Sequence, residues 1–197
     1  MITLDPWTIF FAAIFTNNIL LTNFLGLCPF LAISREVRSA LGLGVAVVFV
    51  MTCTAALNYL VHYHLLVPLN LEHFRYIVFI IIIAAFVQLV EMTVERFFPA
   101  LYFILGIFLP LITVNCAILG ASLFLIIRQY TLWQSVAYGA GSGIGWMLAI
   151  IAVGAIRERL QKTAKLPKGL EGPGITLFIT GLMALAFIAF SGMIQIQ

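Results

Sequence analysis

Charge is what this sequence of 197 residues most lacks. Asp, Glu, Lys and Arg make up 9% of it and hydrophobic residues 63%, whereas a soluble domain carries about 25% charged and about 45–50% apolar residues. That excludes a soluble globular domain. The ten Lys and Arg residues, with a net charge of +3, are scattered and make no basic stripe of the kind that tracks phosphates, so no nucleic acid partner is expected. The N-terminus MITLDPW has no basic stretch ahead of its first apolar segment, which argues for a retained first helix and against a cleaved signal peptide. Three cysteines cannot build a disulfide framework, and Cys28, Cys53 and Cys116 all lie in uncharged stretches, as buried thiols or ligands. There is no Walker loop, no GxGxxG after a strand and no hydrolase triad. His62, His64 and His73 should share one outer loop without an acidic or Cys partner, a poor metal site. No histidine is expected within a span, which removes the axial ligand a haem would need.

What is there is apolar length. The charged residues divide the sequence into six uncharged runs, residues 6–34, 39–71, 76–90, 97–127, 129–156 and 172–197. A hydrocarbon core of ~30 Å needs ~20 apolar residues at 1.5 Å rise each. Five runs suffice unaided; the third must borrow flanking residues. The sequence therefore predicts an all-α integral membrane protein, a single membrane domain over 1–197, with spans near 7–33, 41–62, 74–95, 99–127, 133–156 and 173–193. The longest connection, Arg157 to Pro173, carries Pro and Gly breakers and reads as a loop that ends the fifth helix.

Orientation follows from the bias of basic residues toward the cytoplasmic side of short loops. Arg35, Arg38, Arg96, Arg157, Arg159, Lys162, Lys165 and Lys168 fall on one side, and only Arg75 and Arg128 on the other. Eight against two predicts both termini in the periplasm of a bacterial inner membrane.

Spans one and four differ from the rest. Each is about 28 residues long and interrupted beside a cysteine, at Asn23–Pro29 and at Gly106–Cys116, where Pro removes an amide donor and Gly relaxes the backbone. Interruptions at spans one and four of six fit a 3+3 inverted repeat, about 1–98 and 99–197, since an odd number of spans reverses the second copy. A pair of merely kinked helices is the plainer alternative.

Helical rise gives the cysteines depths. Cys28 precedes Arg35 by seven residues, ~10 Å, and Cys116 precedes Arg128 by twelve, ~18 Å, so both approach mid-bilayer from opposite sides. Cys53 lies ~22 Å beyond Arg38 on an unbroken helix and reads as a small buried hydrophobe. An iron–sulfur cluster generally takes four cysteines. Two at one depth are either packing residues or half of a set completed by another chain.

Intramembrane acids are functional candidates. Gln88, Glu91 and Glu95 share one face of span three, with Arg96 beside them; Glu91 is either a structural residue at the membrane edge or part of a possible ion path. Asn17, Asn18, Asn23 and Asn115 could orient backbone or hydrogen-bond between helices. GAGSGIG, Gly139 to Gly145, opens a membrane helix, and its purpose is close helix packing.

The strings NNILLTNFLGLCPFLAIS (Asn17 to Ser34), LYFILGIFLPLITVNCAILG (Leu101 to Gly120), AIRERL (Ala155 to Leu160) and GITLFITGLMALAFIAFSG (Gly174 to Gly192) resemble the A subunit of the Rnf ion-translocating electron transport complex. They also resemble the related E subunit of the Na⁺-translocating NADH:quinone oxidoreductase. FLGLCPF and VPLNLEHFR look more like the former, GSGIGWMLAI more like the latter. The resemblance covers essentially the whole chain. It implies a six-helix inverted-repeat subunit paired with a homologous partner of opposite topology, an Rnf E-type or quinone-reductase D-type subunit, and other subunits of the complex. Each of the pair would give two cysteines to an intramembrane [2Fe–2S] cluster, and by motif Cys28 and Cys116 would be this chain's ligands to iron. No residue is assigned a catalytic role of its own.

The resemblance further implies a non-autonomous subunit of a redox-driven ion translocase, linking ferredoxin and NAD⁺ to Na⁺ or H⁺ movement, or NADH and a quinone in the relative. A different class is an inverted-repeat secondary transporter with inert cysteines; a third is a structural membrane scaffold.

Overall fold

The computed structural model describes residues 5–33, 37–97, 109–163 and 173–191, and among these every regular element is helical. The interruption expected at Gly106, the loop 164–172 and both chain ends lie outside the described residues.

The expected first span holds three short helices, α1 (Pro6–Ile14), α2 (Ile19–Asn23) and α3 (Leu27–Ile33). Next, α4 (Val37–Val61) continues through a π turn (His62–Leu66), and a 3₁₀ turn (Glu72–Phe74) leads into α5 (Arg75–Phe97). Of the expected fourth span, the described residues hold α6 (Leu109–Thr113) and α7 (Cys116–Ile127). The chain ends with α8 (Leu132–Thr163) and α9 (Pro173–Ser191). Three helices, Ser39–Leu66, Arg75–Arg96 and Leu132–Leu160, are long and apolar enough to cross a membrane, and Leu111–Ile127 and Gly174–Ile188 are shorter apolar helices. As expected, the helix of the third uncharged run, α5, draws in Glu91 and Glu95 to reach its length, and it continues through Arg96.

In hydrocarbon every backbone N–H needs an internal partner, and helix association rests on close packing because lipid is as apolar as leucine. The glycine run of α8 supplies that closeness on two faces. A Cβ on Gly139 would stand 2.8 Å from Ala55 Cβ and one on Gly143 2.9 Å from Val48 Cα, so this face presses against α4. A Cβ on Gly141 would stand 2.6 Å from the Phe10 carbonyl and one on Gly145 3.0 Å from that of Ile14, so the other face presses against α1. The packing role expected for GAGSGIG holds. The pairings also fix direction: α4 runs antiparallel to α8, and α1 parallel to it.

The core lies between α4 and α8, where Leu43, Val47, Met51 and Ala55 meet Trp146, Ile150 and Val153, all at most 2% exposed. Against this pair, α1 packs on α8 and α7 on α4; α5 lies against α4, α6 and α7, and α9 against α8, α2 and α3.

Two expectations about element ends are corrected. The fifth helix does not end before Arg157: α8 runs on to Thr163 and buries Arg157, and Lys162 bonds Glu158 one turn earlier at 2.7 Å. Nor do His62 and His64 lie in a loop, because the π turn carries the helix through them. The ring of His62 is buried edge-on to Phe79 and Tyr63, while His64 Nδ1 meets the Leu60 carbonyl at 3.2 Å. A histidine therefore does occupy a span, contrary to the expectation that removed haem.

Candidate functional site

Both broken spans use one local device. After Ile14 the chain leaves the helix, and Asn18 (φ −64°, ψ 115°) caps α2 by accepting the Leu20 N–H on its side-chain oxygen at 3.1 Å. After Thr113 the chain leaves it again, and Asn115 (φ −73°, ψ 110°) caps α7 by accepting the Ala117 N–H at 3.0 Å. An Asn cap answers one of the amides that a helix start leaves without a partner. Asn18 does more: its Nδ2 donates to the carbonyls of Gly145 on α8 at 2.8 Å and of Ile14 at 3.3 Å. Asn115 Nδ2 is buried with no partner among the described residues.

The first span breaks a second time. Phe24 ends α2 in the left-handed region (φ 54°), Leu25 N–H bonds back to the Ile19 carbonyl at 3.2 Å, and Gly26 follows at φ 85°. A side chain at Gly26 would be strained by that φ and would also have no room, since its Cβ would lie 2.6 Å from Trp146 Nε1 and 2.9 Å from Ala117 Cβ. Helix α3 then starts at Leu27, so Pro29 sits in a first turn where its missing N–H costs nothing. Pro110 lies within α6, next to residues outside the described ones. Pro29 starts a helix here rather than interrupting one.

This turn brings the two broken spans together. The Gly26 N–H donates to Cys116 Sγ at 2.9 Å, and the Gly26 carbonyl accepts the Trp146 indole N–H at 3.3 Å. Cys116 is the first residue of α7 and half-buried, whereas Cys28 is exposed; both are free thiols. Two residues span at most about 7 Å, so the chain joining Gly26 to Cys28 keeps the second cysteine close to the first. Cys53 belongs to neither break and lies in the uninterrupted α4, half-buried. Among the described residues no group of three or more His, Cys, Asp or Glu gathers as a metal site.

Glu91 continues the buried stripe of α5, following Phe79, Ile83 and Val87 at four-residue steps, and is half-buried. Gln88 and Glu95 are exposed. The three expected on one face thus divide between an inward and an outward environment.

Sequence reasoning missed Trp146 and the link between Asn17 and Arg128. With its oxygen turned toward the guanidinium, Asn17 accepts from Arg128 Nη2 at 2.6 Å and Nη1 at 2.9 Å. Arg128 also donates to Tyr130 Oη at 3.2 Å and lies over the rings of Phe124 and Tyr138. The end of α7 is thereby pinned to the first break of span one.

A family profile described as Rnf-Nqr subunit, membrane protein, matches residues 6–194. The E subunit of a Na⁺-translocating NADH-quinone reductase from Psychromonas ingrahamii is 48% identical, over 94% of this chain and 96% of its own length. The A subunit of a Na⁺-translocating ferredoxin:NAD⁺ oxidoreductase complex from Acetobacterium woodii is 50% identical over the same shares. The corresponding quinone-reductase E subunit of Serratia proteamaculans is 51% identical, again over 94% and 96%.

Proposed function

The chain belongs to the Rnf-Nqr family of membrane subunits, and on that premise we propose that it carries electrons across the membrane within an ion-translocating oxidoreductase. Cys28 and Cys116 are its two ligands to a [2Fe–2S] cluster shared with a homologous subunit. The observation that carries this reading is the 2.9 Å bond from the Gly26 N–H to Cys116 Sγ, which ties the thiol of one broken span to a turn two residues from the thiol of the other.

The residues present fit an anionic, thiolate-held group. Cys116 Sγ accepts an amide, as cluster-ligating sulfurs do, and the buried Asn115 Nδ2 beside it is a donor awaiting an acceptor. Cys28 is exposed, open to a second chain. Two thiols are half of the four a cluster generally takes, so a homologous Rnf E-type subunit supplies the rest. When bound, the cluster supplies a one-electron carrier part-way across the ~30 Å hydrocarbon core. The protein's own work is to aim the Cys116 sulfur through the Gly26 turn, which Trp146 and Ala117 pack against.

The finer architecture is proposed too: six spans in a 3+3 inverted repeat. The arrangement of contacts supports it. Exchanging α1 with α6, α2–α3 with α7, α4 with α8 and α5 with α9 turns the packing of α2 on α8 into that of α7 on α4. It likewise turns the packing of α9 on α2 and α3 into that of α5 on α7. The antiparallel α4–α8 pair maps onto itself. The matching Asn caps are a second support. Alternating tilt of the two repeats about this pair would couple electron passage to Na⁺ or H⁺ movement, with Glu91 on the ion path. The setting is a bacterial inner membrane with both termini periplasmic.

The reaction served is electron transfer between ferredoxin and NAD⁺, as named for the Acetobacterium woodii relative. The quinone-reductase relatives of similar identity favour a second reading, with NADH and a quinone at the ends of the same path. The test is the iron and acid-labile sulfide content of the purified complex. Cys28→Ser and Cys116→Ser should each abolish the intramembrane cluster signal and electron transfer, while Cys53→Ser should spare both. Complexes of the first two variants that keep full iron and pass electrons at the parental rate would refute the cluster and leave an inverted-repeat transporter.

A further inference from the structure

We propose that Trp146 is a positioning residue for the Cys116 sulfur. This inference rests on the reading of Cys116 as a cluster ligand and adds to it the group that sets the ligand's hydrogen bond.

The argument starts at Gly26. Its amide faces Cys116 Sγ only because the turn holds two left-handed residues, Phe24 and Gly26, and a turn of that kind has few bonds of its own to hold it. Leu25 N–H reaches back to Ile19. Beyond that, the carbonyl of Gly26 is gripped by the indole N–H of Trp146 at 3.3 Å. Trp146 is fully buried on α8, so its N–H must find an acceptor or pay for burial unmet. The one it has is Gly26. The absence of a side chain at Gly26 is what lets the indole come so close, since a Cβ there would lie 2.6 Å from Nε1. Two hydrogen bonds therefore act in series: Trp146 fixes the Gly26 peptide, and the Gly26 amide fixes on the sulfur.

An N–H pointed at a ligating sulfur stabilises the more negatively charged, reduced state of whatever that sulfur holds, and hydrogen bonds to cluster sulfurs are among the determinants of potential. Removing the indole N–H frees the turn, lengthens or breaks the amide–sulfur bond and lowers the potential. A bond to a charged acceptor changes an equilibrium roughly tenfold, and for a one-electron couple tenfold is about 59 mV.

The experiment is a redox titration of the assembled complex, followed by EPR of the reduced intramembrane cluster. In Trp146→Phe, iron and sulfide should remain at the parental level, the midpoint should move negative by up to tenfold in the reduced-to-oxidised ratio, and the g-values should shift. Trp146→His, which keeps a ring N–H, should stay closer to the parental midpoint than Trp146→Phe does. Trp133→Phe, at a side chain 76% exposed, is the control and should change nothing. A Trp146→Phe complex with full iron and the parental potential and spectrum overturns the proposal. If neither Trp146 variant assembles, the unsubstituted complex decides: with [¹⁵N]glycine incorporated, pulsed EPR should reveal a nitrogen coupled to the reduced cluster, and its absence overturns the proposal. Failure of the underlying reading looks different, because Cys116→Ser would then retain the signal whatever Trp146 does.

Discussion

Asn18 and Asn115 perform the same cap, yet their replacement by Ala should have opposite profiles. Losing an Asn cap costs about 1 kcal/mol in either case. For Asn115 the loss stops there, because its Nδ2 has no partner among the described residues. Asn18→Ala also abandons the Gly145 carbonyl across the α1–α8 contact and the Ile14 carbonyl at the end of α1. Interhelical hydrogen bonds in membranes average ~0.6 kcal/mol and reach ~1.7 kcal/mol, so Asn18→Ala should cost about 1–2 kcal/mol more than Asn115→Ala. At about 2–4 °C per kcal/mol for a chain of this size, the apparent melting midpoints of the detergent-purified single chain should differ by roughly 2–8 °C, Asn18→Ala melting lower. Iron retention in the assembled complex should run the other way, with Asn115→Ala losing more iron, since Asn115 adjoins Cys116. The measurements are a thermal scan of the chain at fixed rate and an iron assay of the complex. If Asn115→Ala melts as low as Asn18→Ala or lower, the assignment of hydrogen bonds to the two breaks is wrong.

Other outcomes follow from the same contacts. Gly141→Ala should impair assembly by about 1–3 kcal/mol through overpacking, because the new Cβ meets the Phe10 carbonyl at 2.6 Å. Gly181→Ala, whose Cβ meets nothing within 4 Å, should leave yield and melting unchanged; equal damage at both sites would contradict the two-faced packing of α8. Glu91→Gln should slow ion-coupled transport in proteoliposomes more than it lowers assembly, and unchanged transport with intact electron flow would reduce Glu91 to a structural residue. A reporter fused after Gln197 should be active in the periplasm alone, and activity only in the cytoplasm would overturn the orientation drawn from eight basic residues against two.

The long spans were legible because composition and run length determine them: residues 39–71 and 129–156 hold no charge, and Ser39–Leu66 and Leu132–Leu160 are the helices that result. The glycine run was legible for the same reason, since small residues in an apolar helix have little use besides close approach. The breaks were only half legible. Gly26 signals backbone freedom and has it, but Pro29, which reads as an interruption, lies in a helix first turn, where proline fits. The break at Phe15–Asn18 escaped because it contains neither Gly nor Pro. Its signal was a cap, an Asn directly ahead of the apolar run from Ile19. Trp146 left no trace, since one tryptophan in an apolar helix gives no hint of which carbonyl its N–H will find.

The two breaks differ in how completely this chain satisfies them. At the first, Asn18 serves two carbonyls and one amide, and Asn17 accepts the Arg128 guanidinium. Backbone that leaves the helix there is matched from within the chain, as hydrocarbon would demand. At the second, Val114 is 72% exposed, Asn115 Nδ2 has no partner among the described residues, the adjoining thiol is half-buried, and Cys28 is exposed two residues beyond Gly26. A polar centre left unfinished would be costly for a chain in lipid alone. The cost disappears where another protein surface covers Val114 and Cys28 and an acceptor meets the Asn115 amide. The proposed partner and shared cluster supply both at once, so the incomplete break and the incomplete ligand set have a single remedy.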